Sequence, residues 1–168
     1  MTGRRCVLAL GAAMLTLVLA GCGANSIGSL QLQRLDAIRR ATEMYVDPNV
    51  ALARGYFQLP GCIASSDGSG ALGTHFIKVT DLNRRTVDLL RPQALYYDLN
   101  PAHGSKQLLG VGYFVPDVGQ RPPDTPIGHM EGPLPATPQQ PSHFQLNAWI
   151  YRRNPTGVLS FWNKNVTC

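Results

Sequence analysis

Four histidines are the side chains of this chain best suited to metal binding or proton transfer: His75, His103, His129 and His143. No two of them have a spacing that lets one strand or one helix place two imidazoles on the same metal ion, because the chain has no HxH, HxxxH or HExxH motif. In His129-Met130-Glu131 a nitrogen, a thioether sulfur and a carboxylate are neighbours, and a soft ligand beside imidazole suits Cu(I) outside the cytoplasm. His75, His103 and His129 are therefore candidate metal ligands, but no complete ligand set is evident and we predict no cofactor.

The chain has no sequence motif of nucleophilic or phosphate chemistry. It contains no G-x-S-x-G nucleophile elbow, no glycine-rich phosphate loop with its lysine and no dinucleotide fingerprint. The serine- and glycine-rich stretch 65–71 has no helix pattern after it, so it predicts a flexible loop. Only ten acidic residues are present, and they do not cluster with aromatics as a glycosidase would favour. These absences favour a protein that is not an enzyme.

The N-terminal segment has the order of a bacterial export signal. Arg4-Arg5 form a basic start, and the apolar run 6–18 is too short to span about 30 Å of hydrocarbon comfortably. Leu19-Ala20-Gly21-Cys22 resembles the lipobox of bacterial lipoprotein precursors, which implies cleavage before Cys22 and lipid on its thiol. Several acyl chains anchor a protein stably, whereas one does so only marginally. We expect residues 1–21 to be a signal peptide, exported by the Sec or twin-arginine route, and the mature protein to be extracytoplasmic and lipid-anchored to the cell membrane.

Removal of the signal changes the charge balance. The full chain has 15 basic and 10 acidic residues, and because Arg4 and Arg5 leave with the signal, the mature protein keeps 13 basic residues and a formal charge of +3. The basic residues occur in scattered pairs rather than in a stripe interleaved with aromatics, which argues against nucleic-acid binding. The expected partners are the membrane, through the lipid anchor, and another envelope protein or a small ligand.

The cysteines predict one disulfide. Cys6 leaves with the signal and Cys22 carries the lipid, so Cys62 and Cys168 remain in an oxidising compartment. Because a cysteine near the end of a chain is poorly placed for catalysis, we expect a structural bond rather than a redox or metal pair.

The hydrophobic pattern changes from helical to extended along the chain. After a tether over 22–29, in which Ser29 could cap the next element, the apolar spacing predicts a helix over 30–46. Asp47-Pro48 then predicts the start of a short helix over 48–54. Period-two patterns and turn residues predict strands, the last four of them in two hairpins, at 75–80, 85–90, 94–99, 107–115, 144–152 and 158–162.

The segment 116–141 contains eight prolines, which lack the amide donor that a sheet ladder needs. It predicts a long extended loop rather than strand, and a loop of that length is either functional or poorly ordered. Adjacent aromatics such as Tyr96-Tyr97 place one ring on each face of the sheet, and burial in a core is the commoner fate of such rings.

The C-terminal half resembles a family of uncharacterised secreted bacterial proteins. The residues that carry the resemblance are Leu95-Tyr96-Tyr97, Leu109–Tyr113, Pro122-Pro123, Phe144–Gly157, Phe161-Trp162-Asn163 and Cys168. The resemblance covers most of residues 50–168. Members of that family combine an early cysteine and a strand with adjacent histidine and aromatic residues with a terminal W-N-x-x-V-x-C motif. It supplies no established activity. Many members carry histidine where this chain has Asn147, so if that histidine and His75 bind metal elsewhere, this chain has lost one ligand.

These patterns predict an α+β protein: an N-terminal helix packed on an antiparallel sheet of five or six strands, closed by one disulfide, in a single domain over 30–168. The leading functional prediction is a non-catalytic binding or interaction module that presents its proline-rich loop to a protein or a small ligand. The alternative is a metal-binding or hydrolytic envelope protein that uses His75, His103 and His129.

Overall fold

A computed structural model describes residues 28–104, 106–138 and 140–168. The predicted signal peptide, Cys22 and most of the tether lie outside these residues. The first element is helix α1, Ser29–Thr42, which continues into a 3-10 turn over Glu43–Val46. The predicted long helix is thus confirmed, although Gly28 rather than Ser29 occupies its N-cap and supplies no side-chain bond.

Helix α2, Pro48–Ala53, begins as the Asp47-Pro48 pair predicts. The Asp47 carboxylate accepts a hydrogen bond of 2.9 Å from the amide of Asn49, and proline fills the first helical position, where an amide donor is not needed. The Tyr56 hydroxyl, just after this helix, donates to the carbonyl of Pro92 at 2.7 Å. That bond ties the helical layer to the loop that precedes the fourth strand.

Seven antiparallel strands form the sheet. Their bounds are β1 Phe57–Gln58, β2 Ile63–Ala64, β3 Ala71–Ile77, β4 Ala94–Asp98, β5 Gln107–Pro116, β6 Glu131–Leu134 and β7 His143–Ala148. The order is β1-β3-β4-β5-β7-β6, and β2 pairs separately with β3. The α+β architecture is confirmed, with seven strands rather than five or six.

Two predicted strands do not form. Residues 85–90 and 158–162 adopt turns and bends, and the predicted second hairpin is reduced to one backbone bond from Trp149 to the Val158 carbonyl at 2.8 Å. Val87 and Leu89 pack against the core without pairing in the sheet, and the Asp88 carboxylate accepts from the amide of Leu90 in a local turn. Their alternating pattern therefore reflects loop packing, which produces the same apolar spacing as a strand.

The proline-rich segment 116–141 is not free of strand, contrary to the prediction. Its residues Glu131–Leu134 form β6, which pairs with β7 at the edge of the sheet with an irregular register. Pro133 lies between the paired positions Glu131 and Leu134, so the ladder avoids its missing donor. An edge strand tolerates proline because one of its sides needs no partner.

The sheet has two buried faces. The first face packs against α1 and includes Phe76, Leu95, Tyr97, Tyr113 and Leu146, with Leu35 and Ile38 of the helix. The second face includes Ile77, Ala94, Tyr96, Phe114 and Trp149. Val166, near the C-terminus, packs on it. Tyr96 and Tyr97 are both fully buried, on opposite faces, as the sequence predicts for adjacent rings.

The disulfide Cys62–Cys168 is present, with 5.6 Å between the α-carbons. It fixes the C-terminal segment near the second face, where Asn163 makes an antiparallel bridge with Ala71. Among the described residues, no helix has the length and apolar character needed to cross a membrane.

Candidate functional site

His75 lies in the core rather than at a surface site. Strand β3 places it on the second face, 5% exposed, with its ring centroid 4.7 Å from that of Tyr96 at 65° between the planes. Its Nδ1 atom has no hydrogen-bond partner among the described residues. Burial disfavours the charged imidazolium and lowers the pKa of His75 to about 4. The side chain is therefore neutral near pH 7.

Tyr96 connects His75 to a closed polar network. The Tyr96 hydroxyl donates to the side-chain Oδ1 of Asn147 at 2.6 Å. The side-chain amide of Gln145 donates to the Tyr96 hydroxyl at 3.2 Å and to Asn147 Oδ1 at 2.9 Å. Asn147 in turn donates to the Phe161 carbonyl at 2.8 Å, in the segment that covers this face. We call His75, Tyr96, Gln145 and Asn147 the polar row.

The polar row is sealed from solvent. Its members are between 0% and 5% exposed. The Tyr96 hydroxyl also packs against Gly112. A Cβ on residue 112 would lie 1.9 Å from this hydroxyl, so only glycine avoids a clash with the Tyr96 side chain. The polar row has residue types common in active sites, but among the described residues Tyr96, Gln145 and Asn147 are bonded to one another, His75 Nδ1 has no partner, and no member of the row lines one of the hollows described below.

The other two candidate ligands have separate environments. His103 follows β4 in a 3-10 turn, and its Nδ1 lies 2.8 Å from an Asp98 carboxylate oxygen. His129 lies in the proline-rich segment, 2.7 Å from Asp124, with both side chains almost fully exposed. His143 begins β7, where its Nδ1 bonds the Pro141 carbonyl at 2.7 Å and its ring packs edge-on against Phe114.

The structure does not bring the candidate ligands together. Within the described residues, no three histidine, cysteine, aspartate or glutamate side chains form a group that could hold a metal ion. Two histidine–carboxylate pairs are present among the described residues, and only His129–Asp124 has another candidate ligand in the same hollow, Met130, which is 3% exposed. The metal alternative therefore gains no site from this geometry.

Three overlapping hollows follow the proline-rich segment instead. One of about 200 Å³ and one of about 320 Å³ share Arg85, Val115 and Pro123 in their walls. The second of these shares Asp124 with a wider hollow of about 570 Å³ that Arg121, Pro122, His129 and Met130 complete. The first two share three wall residues and the third adjoins them at Asp124, and we call the surface that the three form together the proline groove.

The loop before β4 forms one wall of the groove, and side-chain hydrogen bonds hold this loop against β5. The Tyr113 hydroxyl donates to the Leu89 carbonyl at 2.6 Å. Gln93, fully buried, donates to the Phe114 carbonyl at 2.8 Å and accepts from the Phe114 amide at 3.3 Å, which extends the β4–β5 ladder by one side-chain pair. Residues 85–87 are therefore fixed beside β5 although they are not strand.

The opposite wall is held by two buried side chains and by α1. Ile127 and Met130 are 2% and 3% exposed and belong to the first-face core. Gln31 donates to the carbonyl of Ile127, and Arg34 donates to the carbonyl of Pro126. The segment is thus packed and bonded, so the groove is a formed surface.

The groove combines apolar surface with guanidinium groups. Prolines and valines are seven of its fifteen wall residues, and Val118 is 58% exposed. Arg85 and Arg121 are exposed and form no ion pair with another described residue, whereas Asp124 is already bonded to His129. The sequence predicted the proline-rich half of this site, and it gave no sign of Arg85 because that wall is about thirty residues away along the chain.

The chain is matched by no protein-family model, by no curated protein and by no solved structure. The resemblance to uncharacterised secreted proteins therefore stays a prediction. The function has to be inferred from the geometry alone.

Proposed function

We propose that this chain is a lipid-anchored, extracytoplasmic protein of the bacterial cell envelope that acts as a non-catalytic binding module. Residues 1–21 direct export, Cys22 carries the lipid, and the proline groove receives a protein segment or a small ligand. The observation that supports this most is the groove itself, a set of adjoining hollows in which apolar side chains stand beside guanidinium groups without ion pairs among the described residues. Elongated apolar channels with a few polar groups are typical of binding sites.

Helix α1 links the proposed anchor to the groove. Six residues, 23–28, would separate the lipidated Cys22 from Ser29, and an extended chain of that length spans at most about 22 Å. Gln31 and Arg34, in the first two turns of α1, bond directly to carbonyls at the edge of the groove. A lipid on Cys22 therefore holds the groove close to the membrane surface, which favours partners that are already in the envelope.

The anchor is tested by labelling cells with a palmitate analogue. We expect the wild-type chain to incorporate the label and to fractionate with membranes. Cys22→Ala should abolish labelling and leave the unprocessed precursor, while Cys6→Ala, which changes a cysteine within the apolar run, should not. Equal labelling of Cys22→Ala and the wild type would refute lipidation at this residue.

The groove is tested by site-specific photocrosslinking in cells. Val118 in the groove wall and Val79 elsewhere are matched in type and exposure, at 58% and 59%. We expect a photoreactive residue at Val118 to give a discrete crosslinked species that the same residue at Val79 does not give. A species from Val79 alone, or from neither position, would contradict the groove as the binding site.

A further inference from the structure

We propose that the ligand of the proline groove is an extended acidic peptide segment, with aliphatic side chains on the groove walls and carboxylates on Arg85 and Arg121. This inference rests on the proposed function, because it assumes that the groove is the binding site. It goes further by naming the chemistry of the partner.

Proline leaves the groove poor in backbone donors. Four prolines of the walls have no amide N–H: Pro116, Pro122, Pro123 and Pro126. The neighbouring amides of Val118 and Gly119 are already bonded to the side chains of Gln120 and Asp117, at 2.8 and 2.9 Å. A ligand therefore finds few backbone donors for its own carbonyl groups.

The carbonyl groups of three of these four prolines are also occupied. Gln120 bonds the Pro116 carbonyl at 2.8 Å, the Met130 amide bonds that of Pro123 at 3.2 Å, and Arg34 bonds that of Pro126. Along the proline-rich wall the backbone thus offers a ligand few free groups, so affinity there must come mainly from side chains.

The side-chain donors that remain free are guanidinium groups. Arg85 lies where the two smaller hollows meet, and Arg121 lies in the widest one. Arg34 is a third cation at the edge nearest α1, where it already donates to the Pro126 carbonyl. The only carboxylate of the walls, Asp124, lies 2.7 Å from His129, which reduces its repulsion of an acidic ligand.

Guanidinium groups bind carboxylates through paired hydrogen bonds, and they do so most strongly where apolar surface excludes water. Val87, Val115 and Val118 provide that surface in the two hollows that contain Arg85. A chain that alternates acidic and aliphatic side chains in an extended form matches both features. Because the groove is shallow and follows a line, a segment fits it better than a compact small molecule.

The test uses the full mature chain in neutral detergent micelles and three labelled nine-residue peptides, each with three repeats of Glu-Pro-Val, Gln-Pro-Val or Lys-Pro-Val. We expect the acidic peptide to bind at least about tenfold more tightly than the neutral one, since charge-assisted bonds to arginine contribute this much or more. The basic peptide should bind more weakly than the neutral one, and added salt should reduce the difference.

The matched variants separate the groove from general surface charge. R85Q/R121Q removes two charges from the groove and should abolish the preference for the acidic peptide. R54Q/R153Q removes two charges from exposed sites outside the groove and should leave that preference unchanged. Circular dichroism melting curves that match the wild type ensure that both variants are folded.

Three outcomes overturn the inference. These are equal binding of the three peptides, an equal loss of binding in both double variants, or tighter binding to phosphatidylglycerol vesicles than to the acidic peptide. If Val118 still crosslinks a partner in cells, the groove remains the binding site and only the proposed ligand class is wrong. If that crosslink is also absent, the proposed function fails as well.

Discussion

The polar row and the proline groove differ in a way that is opposite to what their residue types suggest. The polar row combines histidine, tyrosine, asparagine and glutamine, which are common in catalytic sites, yet it is buried and bonded to itself. The groove combines proline, valine and arginine, with no nucleophile or general base in a working arrangement, yet it is open to solvent. Accessibility therefore separates the structural set from the candidate binding site, and composition alone does not.

The largest effect should come from removing the disulfide that holds the cover of the polar row. C62S/C168S opens a loop of 106 residues, for which the chain-entropy model gives about 4–5 kcal/mol of stability. Urea unfolding at equilibrium measures the loss, with the wild type in the absence of reductant as reference. A loss below about 1 kcal/mol would mean that the C-terminal segment is held mainly by its own contacts, such as those of Val166 and Asn163.

Asn147→Leu tests whether the polar row stabilises the fold. The change removes the partner of the Phe161 carbonyl and the acceptor of the Tyr96 hydroxyl, and each buried polar group left without a partner costs about 1–3 kcal/mol. We expect a loss of about 3 kcal/mol in urea unfolding. Asn165→Leu, which removes a single exposed bond to the Arg153 carbonyl, is the control and should cost well under 1 kcal/mol.

His75 should make the protein sensitive to mild acid. The pKa of His75 is lowered from 6.5 to about 4 in the folded protein, so below pH 6.5 the unfolded chain binds a proton that the folded chain does not. Stability contributed by the neutral ring is thus full above pH 6.5 and falls as the pH decreases towards 4, by about 3 kcal/mol in all.

The control for this pH effect is His75→Phe, which keeps a ring against Tyr96 and cannot titrate. We expect its free energy of unfolding to vary less than that of the wild type between pH 6.5 and 4. If the two proteins lose stability in parallel over this interval, other groups cause the acid sensitivity.

The smallest effect on stability should come from the groove. R85Q and R121Q remove exposed guanidinium groups without ion pairs to described residues, so each should change the free energy of unfolding by less than about 0.5 kcal/mol. Thermal melts followed by circular dichroism check this. A large loss would show that the arginines support the fold, and the contrast between the two regions would disappear.

Local patterns predicted the elements whose structure depends on neighbours in sequence. The helix over 30–46, the Asp47-Pro48 start of α2 and the strands at 94–99 and 107–115 all follow from spacing and capping. The disulfide followed from the cysteine count and from the compartment that the sequence predicts. The strand predicted at 85–90 was wrong because Val87 and Leu89 bury alternate side chains from a loop, and this gives the same sequence pattern as a strand.

The candidate site was predictable only in part. Eight prolines indicated a special segment over 116–141, but not that Ile127 and Met130 would pack it into the core or that Glu131–Leu134 would join the sheet. Arg85 joins this surface because hydrogen bonds of Tyr113 with Leu89 and of Gln93 with Phe114 hold the loop before β4 beside β5. Contacts of this kind have no local signal in the chain.

The most direct measurement of the central claim is the crosslinking yield from Val118 in three backgrounds: wild type, His75→Phe and R85Q/R121Q. If the groove binds and the polar row is structural, His75→Phe at neutral pH gives the wild-type yield, whereas R85Q/R121Q gives a much lower one. The opposite pattern, a yield lost in a fully folded His75→Phe variant and kept in R85Q/R121Q, would contradict the account and assign function to the polar row.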